Sequence, residues 1–376
     1  MNRKNKICIV TNLSLRNEPT VKNRLEPYVS EYLNRGSEVT LVSSDIESIE
    51  RFKENERFTH KRVTTKKIRP KSFISRALFE YKEAKKLLRS LRRYEFDIYI
   101  ITIPSMFLLF NINQLKGRRI VLDVRDITWE YLSDKKITSF LAKKLFRLLA
   151  KISFNNLSCA VVTNKTERDY FEREGVKVFS YTNGVSLQQF KDLNSLKVKR
   201  AGETVVTYIG KVGVAQNLSI FVEAAKKLPN INFRIVGYGP EVTRIENLIT
   251  RYKIRNIELT GTLDWQGVLS CYEDSDILYA QLIKDFSGAM PSKLYQYLCA
   301  KRFIIYGGEK QAASILSKFD HNTLIEPDNV EDLEMAIVEY QSLKSKAQDY
   351  DNNVNNIYKN YIRENNVSRL INALDA

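Results

Sequence analysis

The sequence predicts an α/β protein built from two Rossmann-like, doubly wound domains. Its 376 residues exceed what one hydrophobic core comfortably accommodates, so two domains of roughly 150 to 200 residues are expected. Strand-like and helix-like segments alternate along the chain, which is typical of parallel sheets covered by helices. The alternation runs twice, and a polar stretch without periodicity separates the two series at 192–202.

The first series predicts an N-terminal domain over 1–190. Its strands are β-branched, and its first helical pattern ends at a glycine. The segments are KICIVTNLSL at 6–15, a helix at 20–36, SEVTLVSSD at 37–45, FDIYIIT at 96–102 and RRIVLDVRD at 118–126.

The second series predicts a C-terminal domain over 203–350. The remaining residues, 351–376, are expected to form a helix that packs back toward the N-terminal domain. The predicted strands lie at 203–210, 232–239, 257–261, 276–282 and 302–308, with helices at 218–228, at 241–252 and from Pro291 onward.

Composition excludes several classes of protein. With 43% apolar and 28% charged residues, the chain is typical of globular rather than disordered proteins. No apolar run approaches the 18 residues of a spanning helix, so a cytoplasmic location is expected. The four cysteines are scattered and only two histidines are present, which argues against a zinc site or a disulfide framework.

The net charge of +16 is confined to the first half of the chain. Residues 1–190 contain 37 Lys and Arg against 21 Asp and Glu, and 57–93 alone contains 14 basic and two acidic residues. Such polarity indicates that one domain meets an anionic surface while the other does not.

Two helical segments in the first half combine apolar and basic positions. One lies in 57–93. The other, 137–154, has an apolar stripe of Phe140, Leu141, Leu145, Leu148 and Ile152, with Lys143, Lys144, Arg147 and Lys151 opposite it. One interpretation is two ordinary surface helices packed on the sheet. The basic excess favours another interpretation, in which 57–93 and 137–154 contact an anionic membrane reversibly.

The segment SGAMPSKLYQYLCAKRF at 287–303 predicts a phosphate site. Pro291 suits a first helical position, so the amides around Gly288, Ala289 and Met290 would point at an anion. Ser292 and Gln296, four residues apart, share one face of the helix, and Gln296 would reach a ribose attached to the diphosphate. The alternative is a connecting loop without a ligand.

Several segments together resemble the family 4 glycosyltransferases, retaining enzymes with the GT-B fold. PSKLYQYLCAKRF resembles the donor-site helix of that family, YIGKVGVAQN the start of its C-terminal domain, and YTNGVSLQQF its interdomain element. VLDVRDITWEYL is similar to a loop of the polysaccharide-building and O-antigen branch. The similarity covers nearly the whole chain except 57–93.

The resemblance implies roles for individual residues of the second half. Lys211, after Gly210, matches a basic residue placed against the donor diphosphate, and Gln216 stands where many relatives have a second lysine. Gly288 and Gln296 occupy the two glutamate positions of the family pattern, so both carboxylates are missing. Lys293 is a further candidate for the missing positive charge, or else an ordinary exposed lysine.

The first half offers candidates for the acceptor side and for catalysis. Arg16, Lys22 and Arg24, in and after the first strand-to-helix loop, are expected to face donor phosphates or the acceptor. Arg125 and Asp126 stand where the family often has His-Asp, and the resemblance implies that Arg125 acts through its charge. The alternative is that the two pair to close a strand end.

The resemblance implies a retaining transferase (EC 2.4) that moves a hexosyl or N-acetylhexosaminyl group from a nucleotide-sugar, with a UDP-sugar expected. The implied acceptor is a lipid-linked saccharide at the inner face of a bacterial membrane, where the protein would be peripheral. No metal or other cofactor is expected. Asp274 and Asp276 are interpreted as a structural turn rather than as a metal-binding DxD motif.

Two alternatives remain open from the sequence. A nucleotide-sugar epimerase would keep the GT-B fold but change the reaction. A nucleic-acid-binding protein would use the basic charge differently, although no DNA- or RNA-binding motif is present. Binding of UDP and acceptor-dependent release of UDP would separate these possibilities.

Overall fold

The computed structural model describes residues 5–16, 18–43, 49–62, 73–132, 136–198, 202–286, 290–344 and 349–376. Thirteen strands are present in these ranges: β1 Lys6–Val10, β2 Glu38–Ser43, β3 Phe58–Arg62, β4 Ile98–Ile103, β5 Ile120–Val124, β6 Cys159–Val162, β7 Val178–Ser180, β8 Val205–Ile209, β9 Asn232–Val236, β10 Ile257–Gly261, β11 Ile277–Gln281, β12 Phe303–Gly307 and β13 Asn322–Ile325.

The helices alternate with these strands. Within the described ranges they are α1 Pro19–Asn34, α2 Phe73–Leu91, α3 Met106–Leu109, α4 Ile137–Phe154, α5 Lys165–Arg173, α6 Leu187–Asn194, α7 Ser219–Lys227, α8 Val242–Tyr252, α9 Trp265–Asp274, α10 Lys293–Cys299, α11 Lys310–Leu316, α12 Val330–Leu343, α13 Asp351–Asn360 and α14 Arg363–Asp375.

The chain divides into two compact units. Unit 1 comprises Met1–Asn183 together with Arg363–Ala376, and unit 2 comprises Gly184–Ile362. Each unit contains one parallel sheet, and of the described strands seven lie in unit 1 and six in unit 2. The predicted class of two doubly wound α/β domains is therefore confirmed.

The sheet of unit 1 has the strand order β3-β2-β1-β4-β5-β6-β7. Its central strands are buried along their whole length, as the run IVLDV in β5 illustrates. Helices α2, α3 and α4 pack in one core cluster, and α1 and α14 pack in another. Covering both faces in this way explains why the strands are apolar without alternation.

The sheet of unit 2 has the order β10-β9-β8-β11-β12-β13. The chain builds outward from β8 to β10 and then returns to place β11 on the other side of β8. The pair β8 and β11 is therefore the topological switch point of this sheet. In open α/β sheets, ligands bind outside the carboxyl ends of the strands at such a point.

The polar composition of 192–202 predicted a boundary between the units there. The structure places the boundary elsewhere. The first change of unit comes earlier, after Asn183, and α6 belongs to unit 2. Asp192 accepts a hydrogen bond from Trp265 Nε1 at 2.8 Å, and Arg302 Nη2 donates to the carbonyl of Lys197 at 2.8 Å. Polar residues there make fixed contacts, which composition alone does not reveal.

The C-terminal segment also differs in its bounds from the predicted helix over 351–376. It forms two helices, of which α13 lies in unit 2 and α14 in unit 1. Val367, Leu370, Ile371 and Leu374 of α14 are buried in a core cluster with residues of α1 and β2.

In the packed-helix interpretation, the apolar stripe of α4 faces the sheet. In the structure, the stripe faces solvent. All the stripe residues, Phe140, Leu141, Leu145, Leu148 and Ile152, are exposed, whereas Lys143, expected on the solvent side, is buried. The core contacts of α4 come instead from Phe146, Ala150 and Phe154, on the other side of the helix.

Candidate active site

Three predicted donor-site residues of unit 2, Lys211, Gln216 and Lys293, lie at the loop that follows β8. This loop, 210–213, begins at Gly210, whose φ of +149° is unfavourable for other residues. A Cβ added at Gly237 would lie 1.9 Å from the carbonyl oxygen of Gly210, and one at Gly239 would lie 2.0 Å from that of Val212. These two glycines therefore permit close packing of the loops after β8 and β9.

Lys211 and Gln216 lie together at this loop. A Cβ added at Gly213 would be 2.9 Å from Gln216 Oε1 and 3.9 Å from Lys211 Cε, so both side chains border the same glycine. Lys211 is exposed, and its carbonyl accepts a hydrogen bond from Tyr208 Oη at 2.5 Å. The loop therefore has a fixed backbone and a lysine whose ammonium is accessible.

Lys293 approaches the same loop from α10. Its Nζ is buried, has no hydrogen-bond partner among the described residues, and lies 3.6 Å from the ring centroid of Tyr208. A Cβ added at Gly210 would be 2.9 Å from this nitrogen, so glycine leaves room for it. Burial lowers the pKa of Lys293 well below its ordinary value. Lys293 is thus not the exposed lysine of the alternative interpretation.

The start of α10 differs from the prediction. The helix begins at Lys293, two residues after Pro291, with exposed Ser292 as its N-cap residue and no side-chain cap. Met290 is half-buried against the core of unit 2. Gly288 and Ala289 lie outside the described residues, so the predicted contact of their amides with phosphate stays a prediction.

Gln296 is oriented by a buried tyrosine. Its Oε1 accepts a hydrogen bond from Tyr272 Oη at 3.2 Å, and Tyr272 is fully buried. Tyr297, one residue further along α10, accepts a hydrogen bond from the amide of Ile209 at 2.9 Å. These contacts fix α10 against the end of β8 and leave the amide nitrogen of Gln296 as its available donor.

Arg24 does not present its charge to a ligand, contrary to expectation. It is only 2% exposed, and its Nη2 forms an ion pair with Asp123 Oδ1 at 2.7 Å. Its Nη1 donates to the carbonyl of Tyr181 at 2.5 Å. Burial lowers and Asp123 raises the pKa of Arg24, with a net upward shift. The residue therefore ties α1 to β5 inside unit 1.

The other candidates in unit 1 lie near the carboxyl ends of its strands. Arg16 is exposed in the loop after β1, and Lys22 is half-buried in the first helical turns of α1. Arg125 follows β5 and donates to Thr20 Oγ1 at 3.0 Å, while burial lowers its pKa. Asp126 is half-buried beside it. These residues are positioned at the edge where α/β sheets bind ligands.

Glu167 is a titratable group that the sequence interpretation missed. Its carboxylate, almost fully buried after β6, accepts hydrogen bonds from Thr163 N at 2.8 Å and Thr163 Oγ1 at 2.9 Å. Burial raises its pKa to about 7, against the opposing effect of these two donors. The only sequence signal was an Asn-x-x-Glu pattern, in which Asn164 caps α5 by accepting from Glu167 N at 2.8 Å.

Asp274 and Asp276 make contacts that fit a structural turn. Asp276 Oδ2 accepts from Val205 N at 2.9 Å, and its Oδ1 pairs with Lys344 at 2.9 Å. Asp274 pairs with Arg234 at 3.4 Å. Across the described ranges, no group of three or more His, Cys, Asp and Glu residues is arranged to hold a metal ion.

Residues 190–375 match the family model for Glycosyl transferases group 1. Among curated proteins, the chain is 21% identical over 230 residues to an uncharacterized glycosyltransferase, MJ1069, of Methanocaldococcus jannaschii. That alignment covers 58% of this chain and 57% of the relative, so the chain spans little more than half of that protein.

Solved structures resemble the chain over nearly its whole length. Sucrose-phosphate synthase of Thermosynechococcus elongatus has a TM-score of 0.72 at 14% identity, covering 99% of this chain and 98% of that one. Alr3699/HepE of Anabaena, solved with UDP and glucose, has a TM-score of 0.70 at 13% identity, covering 100% of both. The chain therefore has the GT-B fold of glycosyltransferases, and its second half carries the match to group 1 of those enzymes.

Proposed function

We propose that the protein is a retaining glycosyltransferase that takes a hexosyl or N-acetylhexosaminyl group from a UDP-sugar. The observation that carries this proposal is the ammonium of Lys293, buried without a partner among the described residues beside the loop at the switch point of unit 2. A buried amine without a partner is costly, and a diphosphate would supply the missing acceptors.

The leaving group is the nucleoside diphosphate in the proposed reaction. Its bond to the anomeric carbon breaks as the acceptor oxygen bonds to that carbon, and a departing phosphate oxygen takes the acceptor proton. Lys211 stabilises the negative charge that develops on the diphosphate, and so does Lys293, whose protonated form the bound diphosphate favours. The proposed chemistry needs no metal or other cofactor.

Gln296 contacts the ribose in this proposal. Tyr272 already donates to Oε1 of the amide, so Gln296 uses its Nε2 to donate to a ribose hydroxyl. A glutamate would accept from both hydroxyls but would bring a negative charge near the diphosphate. Gly210, Met290, Ser292 and Gln216 shape the rest of the donor site, together with the predicted amides of Gly288 and Ala289.

The proposed acceptor is a lipid-linked saccharide used in bacterial surface polysaccharide synthesis, of which O-antigen is one kind. Arg16, Lys22, Arg125 and Asp126 lie at the strand ends of unit 1 that would meet it. The protein would be peripheral on the cytoplasmic face of the membrane, attracted by the basic residues of 57–93 and 137–154.

Thermal shift with UDP, GDP and TDP sugars tests the donor proposal. We expect a UDP-sugar to raise the melting temperature of the parent protein. Gln296→Ala is expected to raise the donor KM or lower kcat in an assay of UDP release. Unchanged values of both constants would contradict the role of Gln296.

The same assay separates the alternative functions. A transferase releases UDP in proportion to added lipid-linked acceptor, whereas an epimerase converts its substrate without that dependence. Stabilisation by an oligonucleotide but not by UDP would favour a nucleic-acid-binding protein instead.

A further inference from the structure

The outer face of α4 is an apolar stripe exposed to solvent. Four of the stripe residues form a row with Ile137 in which the spacing is three or four residues, and each member of this row is between 52% and 79% exposed; the row is Ile137, Leu141, Leu145, Leu148 and Ile152. Single exposed leucines are ordinary, but a contiguous row of five large apolar side chains is characteristic of a contact surface.

This stripe is additional to the core contacts of α4. Phe146, Ala150 and Phe154 on the other face are buried in the core cluster shared with α2 and α3. Phe146 stacks on Phe110 with ring centroids 5.6 Å apart. The helix is therefore already anchored in unit 1, and its stripe has no role in that packing.

Basic residues run beside the stripe on the same helix. Lys144, Arg147 and Lys151 are exposed one position away from it, and Lys144 Nζ lies 4.6 Å from the ring centroid of Phe140. Arg147 and Lys151 also pair with Glu130 and Glu174. The cationic groups border the apolar row and do not interrupt it.

Helix α2 adds further positive charge on the same side of the sheet. Both α2 and α4 contribute to one core cluster on one face of the unit 1 sheet, so their outer surfaces are exposed on that side. The outward residues of α2 include Lys82, Lys85, Lys86 and Arg89, all exposed.

We propose that α4 lies in the plane of an anionic lipid monolayer, with its stripe inserted among the acyl chains. The stripe extends for roughly 22 Å at 1.5 Å per residue, and an apolar face flanked by lysines and arginines is typical of interfacial helices. Charge complementarity between this basic border and anionic headgroups favours a lipid surface as the occupant. None of the described helices is long and apolar enough to span the bilayer.

Insertion differs from charge attraction in its response to salt. Contacts between lysines and lipid headgroups are screened at high ionic strength, whereas burial of the stripe is not. The proposal therefore adds a salt-resistant component of binding to the electrostatic one. It does not depend on the transferase activity or on the identity of the donor.

Co-sedimentation of the full chain with phosphatidylcholine vesicles, with and without phosphatidylglycerol, tests the proposal. The test variant is Leu145→Gln with Leu148→Gln, and the matched control is Met335→Gln with Val338→Gln, an exposed apolar pair on α12. A second comparison uses Lys82→Gln with Lys86→Gln on α2. The melting temperature of each variant verifies that it is folded. The shift of that temperature with UDP tests donor binding independently of vesicle binding.

We expect the α4 variant to lose the vesicle binding that survives high salt, by about tenfold or more. The α2 variant should lose mainly the low-salt component, and the α12 control should bind as the parent does. Parent-like binding of the α4 variant at high salt would overturn the proposal. A second outcome would also overturn it. If light scattering shows a dimeric parent and a monomeric α4 variant, and the two bind vesicles equally, the stripe is a dimer contact.

Discussion

Lys293 shows how a single side chain can be poorly placed for stability and well placed for binding. Its buried ammonium has the ring of Tyr208 as a neighbour but no hydrogen-bond acceptor among the described residues. A position that weakens the unliganded protein yet faces a glycine loop is typical of a binding site, where stability and function are often in conflict.

Replacing this lysine should have opposite effects on stability and on binding. Lys293→Met is expected to leave the free energy of unfolding unchanged or raise it, because a buried amine is removed. Affinity for UDP should fall by about tenfold to hundredfold, since a charged hydrogen bond is lost. Calorimetric titration and urea unfolding measure the two, with exposed Lys318→Met as the control. A loss of stability with unchanged affinity would contradict the assignment.

Glu167 should make stability depend on pH in a predictable direction. Because its pKa is raised to about 7, the folded protein keeps a proton that the unfolded chain has released between about pH 4.5 and pH 7. Stability contributed by Glu167 is therefore lost as pH rises through this window. Relative to the parent, Glu167→Gln should gain about 1 to 3 kcal/mol between about pH 5 and pH 8.

Urea unfolding at a series of pH values measures this difference. Glu223→Gln, at an exposed position of α7, is the matched control and should show no such trend. A gap between Glu167→Gln and the parent that is constant with pH would show that the carboxyl titrates normally.

At the scale of elements, hydrophobic patterns predicted most of the strands and several helices. The described β8, β9, β11 and β12 fall inside the predicted runs. Of these, β8, β11 and β12 are buried over almost their whole length, and strands buried on both faces are rich in apolar residues. The edge strand β3, with sequence FTHKR, was missed. An edge strand has few core contacts, so its sequence need not be apolar.

The orientation of a helix is harder to predict than its existence. The helical repeat fixes which residues of α4 share a face. One face is apolar and another is mixed, so the repeat does not tell which of them is buried. The helix buries the side containing Phe146 and Phe154, including the chain of Lys143. Only the neighbouring α3 and the shape of the core decide between the two, and neither is visible in a local pattern.

The ion pair between Arg24 of α1 and Asp123 of β5 should be necessary for the stability of unit 1. Arg24→Met leaves Asp123 buried with only the hydroxyls of Tyr28 and Thr102, and we expect a loss of about 3 to 5 kcal/mol of unfolding free energy. Arg24→Met with Asp123→Asn should cost less than the sum of the single changes. Urea unfolding of the four proteins gives the coupling. A negligible cost of Arg24→Met would restore a ligand-binding interpretation.

At the scale of the whole molecule, the chain leaves unit 1 after Asn183 and re-enters it at Arg363. The sequence predicted two domains because the βα series restarts, but not the positions of the crossings. Polar composition marked 192–202, but hydrogen bonds to Asp192 and Lys197 hold the described residues 192–198 within unit 2. The donor-site candidates come from resemblance and stay predictions, whereas the burial of Arg24 was visible only in the tertiary structure.

A substitution in the last helix should therefore destabilise the first unit. Ile371→Ala removes a fully buried side chain from the cluster that contains α1, with an expected cost of about 2 to 5 kcal/mol. Hydrogen exchange should accelerate in β1 and β2 more than in β8 and β9. Exposed Asn372→Ala is the control. Equal acceleration in both units would contradict the assignment of α14 to unit 1.

The re-entry of the chain has a consequence during synthesis. Tyr32 and Leu33 of α1 share their core cluster with Leu370 and Leu374, which are translated only after the whole of unit 2. Unit 2 is complete at Ile362, before α14 has been translated. Unit 2 can therefore fold before unit 1 has all of its elements, and the surface of α1 that packs against α14 stays uncovered until Arg363–Asp375 has been synthesised.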